Sequence, residues 1–239
     1  EITLLCAPTG CGKTSLMASI SSLLWTQNVS QFVVPVETGP SDYMKRVITA
    51  LLGVNLNRNV SINDEEIKSI QDRMKLFFEA SGKLFIATYK DRIDVDEMIA
   101  LITHIKSNRG IKVCILDNLN FFLKVVPGQN EKMEMDQAIH KFVMLVRNIP
   151  IHTILIVHPR KTDGGRVESE FDIKGSSTAV QEADNVILFN RPSNDCFIDR
   201  YKQKMYREMT FKKIRKRGEK YNTKIWFDFL NGRYVEIND

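Results

Sequence analysis

The fold of this chain is constrained most by a glycine-rich stretch near its beginning, Ala7-Pro8-Thr9-Gly10-Cys11-Gly12-Lys13-Thr14. The stretch follows the apolar run 2–6 and precedes a helix-like run that starts at Ser15. Its two glycines let backbone N–H groups turn inward around an anion, and the positive end of the new helix points at the same place. The pattern therefore predicts a phosphate-binding loop over residues Ala7 to Ser15; the alternative is a chance turn before a structural helix.

Two side chains of this loop carry the chemistry. Lys13 can reach the β- and γ-phosphates of a nucleotide, and the Thr14 hydroxyl can hold Mg²⁺. Ala7 stands where the usual pattern has Gly, and because Ala is small we expect the loop to be retained. The sequence has no Asn-Lys-x-Asp motif of the kind that GTPases use to recognise the base. We expect the ligands to be ATP and Mg²⁺.

Apolar strands alternate with amphipathic helices along most of the chain. Strands that are apolar throughout and separated by helices are typical of a parallel sheet covered on both faces. After residue 195, strand-like runs follow one another without helices, which predicts antiparallel strands near the C-terminus. We therefore predict an α/β fold with a mostly parallel central sheet flanked by helices. The predicted strands are 2–6, 31–36, 83–87, 112–116, 152–157, 185–190, 196–200, 208–215, 223–229 and 233–237, and the predicted helices are 13–27, 41–51, 63–80, 94–108 and 134–148.

Length and composition limit the class of protein. With 239 residues and 43% hydrophobic content, the chain can bury a proper core. The sequence begins directly on a strand, so we expect one domain, 1–239, taken from a longer protein. No apolar run approaches the ~20 residues of a membrane span. The four cysteines have no CxxC spacing, so we expect reduced thiols, including an inert Cys11, in an intracellular protein. The net charge of +5 is concentrated in a basic tract at 200–220, either a solvated face or an interface.

Carboxylates follow two of the predicted strands. Glu37 comes at the end of the second strand, where open α/β sheets place their ligands, and it can activate a water for attack on a γ-phosphate. The alternative for Glu37 is a charge ahead of the helix 41–51. Asp117 follows the apolar run 113–116, which is the Walker B pattern of a carboxylate that binds Mg²⁺ through water.

A histidine and a basic loop follow the strand 152–157. His158 at the strand tip can contact the γ-phosphate, although a lone histidine is more often structural. The loop after it begins with Arg160 and Lys161 and can grip a nucleic-acid backbone; the alternative is an ordinary surface loop. Further along, Lys174-Gly175-Ser176 combines a cation with small residues that allow close backbone approach, or simply opens a short helix.

Lys213 and Arg215 alternate with an apolar residue on a predicted strand, so both cations project from one face. If that face meets the nucleotide of a neighbouring subunit, Arg215 can act in trans as an arginine finger with Lys213 beside it. The alternative is a solvated edge strand kept soluble by its charges.

Together these stretches resemble the C-terminal RecA-like motor domain of the hexameric replicative helicases, the family of DnaB, the phage gene-4 primase-helicases and Twinkle. The likeness is closest to the Twinkle type. It rests on Val157-His158-Pro159-Arg160-Lys161, on Ile115-Leu116-Asp117-Asn118-Leu119, and on Lys174-Gly175-Ser176-Ser177 followed by Gln181-Glu182-Ala183-Asp184.

The resemblance implies a role for each motif. Lys13 and Thr14 would bind phosphates and Mg²⁺, Glu37 would be the catalytic base, and Asp117 the Walker B carboxylate. His158 would sense the γ-phosphate, and Arg215 would be the finger supplied to the next subunit. The stretches 118–132, 159–174 and 175–181 would line a central channel and hold single-stranded DNA, with Arg160, Lys161 and Lys174 as backbone contacts.

The function implied by the resemblance is ATP-driven 5′→3′ translocation and duplex unwinding by a ring of six subunits. The expected partners are single-stranded DNA and copies of the same chain, together with primase, polymerase and single-strand-binding protein. The compartment is either bacterial or phage-host cytoplasm or the mitochondrial matrix. Two alternatives stay open: a RecA-like filament or clamp that binds DNA without unwinding it, and a nucleotide-gated regulator with no nucleic-acid partner.

Overall fold

A nine-stranded sheet runs through the centre of the fold, with strand order β3-β2-β4-β5-β1-β6-β7-β8-β9. It is seen in a computed structural model that describes residues 1–54, 63–79, 82–88, 93–123, 131–160, 166–173, 177–192, 205–218 and 220–237. The strands from β3 to β6 in this order are parallel, and β7, β8 and β9 are antiparallel additions on one side. The strands are β1 (Ile2–Cys6), β2 (Gln31–Pro35), β3 (Leu84–Ile86), β4 (Val113–Asp117), β5 (His152–Val157), β6 (Asn185–Asn190), β7 (Tyr206–Ile214), β8 (Tyr221–Asp228) and β9 (Arg233–Glu236).

The predicted mixture of parallel and antiparallel strands is confirmed, and most predicted bounds lie within one or two residues of the observed ones. The predicted strand 196–200 lies outside the described residues. The helices are α1 (Lys13–Thr26), α2 (Pro40–Leu52), α3 (Asp64–Glu79), α4 (Val95–Arg109), α5 (Glu131–Asn148) and α6 (Ser177–Glu182), with short 3₁₀ helices at Leu119–Phe122 and Glu170–Asp172.

The parallel strands are mostly apolar because both faces of the sheet are covered. On one face, Ile2, Leu4 and Cys6 of β1 pack in a core shared with α4 and α5. On the other face, Leu5 packs in a second core with residues of α1 and α2. Alternate residues of one strand therefore enter different cores, so a polar residue at either position would be buried.

The register of the parallel strands brings their C-terminal ends to one edge of the sheet, which we call the upper edge. Cys6 at the end of β1 pairs with Val157 at the end of β5. Pro35 at the end of β2 pairs with Asp117 at the end of β4. The loops that follow these strands therefore leave the sheet side by side, and the strand beginnings form the opposite, lower edge.

Within the described ranges, no helix is both long and apolar enough to cross a lipid bilayer.

Candidate functional site

The loop between β1 and α1 has the geometry of an anion site. Gly10 and Gly12 have φ values of +72° and +98°, a left-handed backbone that a residue with Cβ rarely adopts. Helix α1 starts at Lys13 without a side-chain cap and without an acidic residue in its first turn. Its first N–H groups are therefore uncapped donors at the positive end of the helix, which is the arrangement that binds phosphate.

Lys13 points from this loop toward the tip of β5. Its Nζ lies 3.3 Å from Nδ1 of His158 and donates to the carbonyl oxygens of Ala7 and Pro8, each at 3.4 Å. The side chain is buried, and this desolvation lowers the pKa of Lys13 against the opposing attraction of the Glu37 and Asp117 carboxylates. A polyanion placed beside Lys13 would stabilise its charged form.

Thr14 and Asp117 meet across the start of α1 and the end of β4. The Thr14 hydroxyl donates to Oδ2 of Asp117 at 2.8 Å. Asp117 is fully buried, and among the described residues its Oδ1 has no hydrogen-bond partner. Burial raises the pKa of Asp117, partly offset by the hydrogen bond from Thr14. A buried carboxylate oxygen without a partner, next to a hydroxyl, fits a Mg²⁺ ion, which prefers hard oxygen ligands.

Glu37 and His158 lie at the ends of β2 and β5, and the side chain of Asn118 stands between them. The Asn118 amide nitrogen donates to Oε2 of Glu37 at 3.2 Å and lies 2.9 Å from Nε2 of His158. The Glu37 carboxylate oxygen is itself 3.9 Å from that ring nitrogen. The upper edge therefore brings Lys13, Asp117, Glu37 and His158 into one connected group beside the loop.

The sequence profile of the DnaB-like helicase C-terminal domain matches residues 1–235. The chain belongs to this family. Membership of this family implies an ATP-hydrolysing DNA helicase domain. Many solved structures share its fold, among them the following two. The ATPase domain of G40P superposes with a TM-score of 0.80 at 14% identity, over all of this chain and 85% of that one. A DnaB-like replicative helicase studied with primase gives a TM-score of 0.81 at 14% identity, and this chain spans 57% of its length.

In this helicase domain, two arginines donate hydrogen bonds to backbone carbonyls of the phosphate-binding loop. Arg191, just after β6, donates from Nη2 to the carbonyl of Gly10 at 3.0 Å. Arg207 of β7 donates from Nε to the carbonyl of Cys11 at 2.5 Å and is only 8% exposed. These bonds fix the outward carbonyls of the loop, and a peptide whose carbonyl is held in place has its N–H direction fixed as well.

Tyr234 of β9 completes this support. Its ring packs edge-on against Phe189 with centroids 5.8 Å apart. Burial raises the pKa of Tyr234 to about 12, against the lowering effect of Arg207. A Cβ added at Gly12 would overlap the Tyr234 hydroxyl oxygen. Gly12 is therefore required both by its backbone angle and by the close approach of Tyr234.

The segment after β5 is tied to the same support. Arg166 forms an ion pair with Glu208 of β7 and donates from Nη1 to the carbonyl of Arg191 at 2.5 Å. The buried Asn190 side chain accepts from the N–H of Val167 at 2.9 Å and donates to its carbonyl at 2.8 Å. The part of the predicted DNA-contacting stretch 159–174 that starts at residue 166 is therefore joined to β6 and β7.

Lys213 and Arg215 lie at the lower edge, away from the phosphate-binding loop of their own chain, because β7 runs antiparallel to β6. Lys213 donates to the carbonyl of Gln181 at 2.6 Å, and Arg215 donates to that of Glu182 at 3.1 Å. Nε of Arg215 also lies 3.2 Å from a carboxylate oxygen of Asp184. The alternative of a solvated edge strand is wrong, since β7 lies between β6 and β8.

Of the predicted DNA-contacting residues, the structure describes Arg160, which is exposed just beyond His158 and whose backbone N–H donates to the carbonyl of Asp172 at 2.7 Å. Lys161, Lys174, Gly175 and Ser176 lie outside the described residues. Cys11 is 1% exposed, its thiol donates to the carbonyl of Phe189, and burial raises its pKa. These features favour the predicted inert thiol at this position.

Four residues were not predicted from the sequence as parts of the nucleotide site: Asn118, Arg191, Arg207 and Tyr234. The sequence placed Arg207 only within the basic tract 200–220. Among the described residues of that tract, it is the arginine that is buried. One sequence signal pointed to it: Arg207 follows Tyr206 at the start of a strand, and because successive side chains of a strand point to opposite faces, one of these two had to face inward. Asn118 directly follows the Walker B carboxylate, and that adjacency was its signal.

Proposed function

We propose that this chain drives 5′→3′ translocation along single-stranded DNA and duplex unwinding, by hydrolysing ATP at the interfaces of a ring of six subunits. The observation that carries the proposal is the division of the predicted catalytic groups between the two edges of the sheet. Lys13, Asp117, Glu37 and His158 gather at the upper edge, whereas Arg215 lies at the lower edge. A finger in that place can reach a nucleotide only on another subunit.

On the nucleotide side, each group has a task that its position supports. The N–H groups of the loop from Ala7 to Ser15 cradle the phosphates, and Lys13 neutralises the β- and γ-phosphate oxygens. Mg²⁺, held by Thr14 and through water by Asp117, would supply positive charge to the same oxygens. The Glu37 carboxylate orients the attacking water and accepts its proton. His158, within reach of Lys13, contacts the γ-phosphate.

On the DNA side, His158 and Arg160 are separated by a single residue, so a shift at the γ-phosphate moves the basic segment that follows. We assign backbone contacts to Arg160, Lys161 and Lys174, with Gly175 and Ser176 allowing close approach of the strand. The bonds of Arg166 to Glu208 and Arg191 support this assignment, because they join the same segment to the phosphate-binding loop.

Arg215, with Lys213 beside it, is assigned to the nucleotide of the adjacent subunit. In a single chain its guanidinium is bound to the end of α6 and to Asp184. A conformational change at the interface would transfer these bonds to phosphate oxygens, which attract a guanidinium more strongly than carbonyls do.

The proposal extends to the domain context, the cellular location and the partners of the chain. Residues 1–239 form one motor domain of a longer, Twinkle-type protein, located in bacterial or phage-host cytoplasm or in the mitochondrial matrix. Its partners are single-stranded DNA, copies of itself and a primase, with polymerase and single-strand-binding protein at the fork. A fold neighbour was studied in its interactions with primase, which supports primase as a partner.

The first test is the rate of ATP hydrolysis per subunit as a function of protein concentration, with and without single-stranded DNA. The proposal expects a rate that rises steeply with concentration and rises further with DNA. A rate that is constant per subunit and unaffected by DNA, in a chain extended at its N-terminus so that it can assemble, would refute the ring motor. Lys13→Ala should abolish turnover, and normal turnover in that variant would remove the loop from the mechanism.

The shared site has its own test. Arg215→Ala should bind ATP and hydrolyse almost none, and mixing it with inactive Glu37→Ala protein should restore some activity, because mixed interfaces contain intact pairs of groups. Arg217→Ala, which removes an exposed arginine two positions away, is the matched control and should behave like the wild type. Absence of rescue at every mixing ratio would contradict a finger acting in trans and leave Arg215 as a cap for α6.

A further inference from the structure

Asn118 touches both groups that are assigned to act on the γ-phosphate. Its amide nitrogen is 3.2 Å from a carboxylate oxygen of Glu37 and 2.9 Å from Nε2 of His158. The side chain is 2% exposed, so water does not compete for these contacts. One buried amide therefore connects the tips of β2, β4 and β5.

The Asn118 side chain contacts these two groups and does not cap the short helix that follows it. Asn118 is the N-cap residue of the 3₁₀ helix Leu119–Phe122, with an extended backbone at φ −122° and ψ 167°. Asparagine at such a position normally bonds the N–H groups of the first turn. Here the side chain makes no cap bond, and its Oδ1 is buried without a hydrogen-bond partner among the described residues. A purely structural asparagine would leave fewer polar groups unsatisfied.

Asn118 is also the first residue of the stretch 118–132, one of the three assigned to hold DNA. The 3₁₀ helix that follows packs against β5 through buried Leu119 and Phe122, whereas Phe121 on the same turn is 44% exposed. Asn118 directly precedes this turn in the chain, so a displacement of the turn also moves the Asn118 backbone. Displacement of this turn would shift the Asn118 amide relative to Glu37 and His158.

We propose that Asn118 is a positioning residue that couples DNA binding at the 3₁₀ helix Leu119–Phe122 to the orientation of Glu37 and His158. The inference rests on the proposed function, and adds a route by which the strand controls hydrolysis. While the amide donates to Glu37, the carboxylate is held beside His158. When DNA moves the turn, the carboxylate is released toward the attacking water.

The test compares Asn118→Ala and Asn118→Leu with the wild type in steady-state ATP hydrolysis, with and without single-stranded DNA. Asn118→Leu keeps much of the volume of the side chain and removes the donor without adding a charge, so it separates loss of the hydrogen bond from loss of volume. In both variants the ratio of DNA-stimulated to basal kcat should fall at least about fivefold, the lower range of coupling between sites. The KM for ATP should change by less than about twofold, because the phosphate-binding loop is untouched.

A second readout excludes a general loss of order. The affinity for a fluorescent oligodeoxythymidine should depend on a non-hydrolysable ATP analogue in the wild type and lose that dependence in both variants. Gln31→Leu is the control: it removes another fully buried amide, at the lower edge of β2, and should keep the wild-type ratio. A wild-type ratio in both Asn118 variants, with or without a lower absolute rate, would overturn the proposal. A wild type that hydrolyses ATP without any response to DNA would instead refute the proposed function.

Discussion

Replacing Arg207 by Met should weaken both the folded state and nucleotide binding. The guanidinium is buried, donating from Nε to the carbonyl of Cys11 at 2.5 Å and from Nη1 to that of Tyr206 at 2.6 Å. Methionine fills much of the same volume without a donor, so the Cys11 carbonyl would lose a charge-assisted hydrogen bond in a buried place. Such a bond contributes about 1.5–3 kcal/mol to the free energy of unfolding. We expect a loss of about 2–3 kcal/mol, or about 5–10 °C in Tm for a chain of this size.

The effect on ATP follows from the same contact. Without Arg207, the peptide after Cys11 is free to rotate, and the N–H groups that face the phosphates lose their fixed direction. A loss of about 1.4 kcal/mol of binding energy corresponds to a tenfold rise in Kd. The rise should appear in the KM for ATP, and in the Kd of a fluorescent nucleotide.

Urea unfolding and a titration of ATP hydrolysis measure the two effects in the same preparation. Arg217→Met is the matched control, because it removes one arginine of the same tract from an exposed position. Surface substitutions of that kind usually change stability by no more than about 0.5 kcal/mol. The reasoning is refuted if Arg207→Met stays within that range of the wild type, or if the control loses as much.

Three further predictions concern single positions. Gly12→Ala should destabilise the fold by about 1–3 kcal/mol and abolish ATP hydrolysis, because it strains a left-handed backbone and overlaps Tyr234; adding Tyr234→Phe should recover part of the unfolding free energy, and an unchanged loss would contradict the steric part of the argument. Burial lowers the pKa of His152 from 6.5, so the stability that its neutral form contributes is present above pH 6.5 and is lost as the pH falls below it. Urea midpoints between about pH 7 and 5 should fall less steeply in His152→Gln, and an identical slope would disprove the assignment. Asp117→Asn should abolish hydrolysis but raise the free energy of unfolding by about 1 kcal/mol in the absence of nucleotide and Mg²⁺, because it removes a buried charge. The rise should appear as a higher Tm, and a lower Tm would show that the buried charge does not destabilise the fold.

The fold was predictable because its signals are local. Apolar strands alternate with helices, and each strand bound depends on residues within a few positions of it. The predicted strand 152–157 coincides with β5, and the predicted 112–116 is displaced by one residue from β4. The placement of Glu37, Asp117 and His158 at neighbouring strand ends could be predicted because parallel strands bring their C-terminal ends to one edge.

The support of the phosphate-binding loop could not be predicted in the same way. The bond from Arg207 to Cys11 joins residues 196 positions apart, and no periodicity in the sequence records such a pairing. It depends on the order and register of β6 and β7, which include a bulge between Val186 and Ile187. Within a tract of lysines and arginines, the neighbouring residues do not indicate which side chain will be buried. The contact of Asn118 with Glu37 and His158 likewise depends on three strands meeting.

The long separation between the loop and its supports has a consequence for how the chain folds. The loop is synthesised long before Arg191, Arg207 and Tyr234, which lie far downstream of it in the sequence. We expect contacts between residues so far apart in sequence to form late in folding, because the entropy cost of closing a long loop must be overcome first. A nascent chain that lacks β7 to β9 would therefore carry the complete phosphate-binding motif and yet bind nucleotide weakly. Tight binding of nucleotide is a sign that the last strand has joined the sheet, and nucleotide added during refolding should select fully assembled molecules.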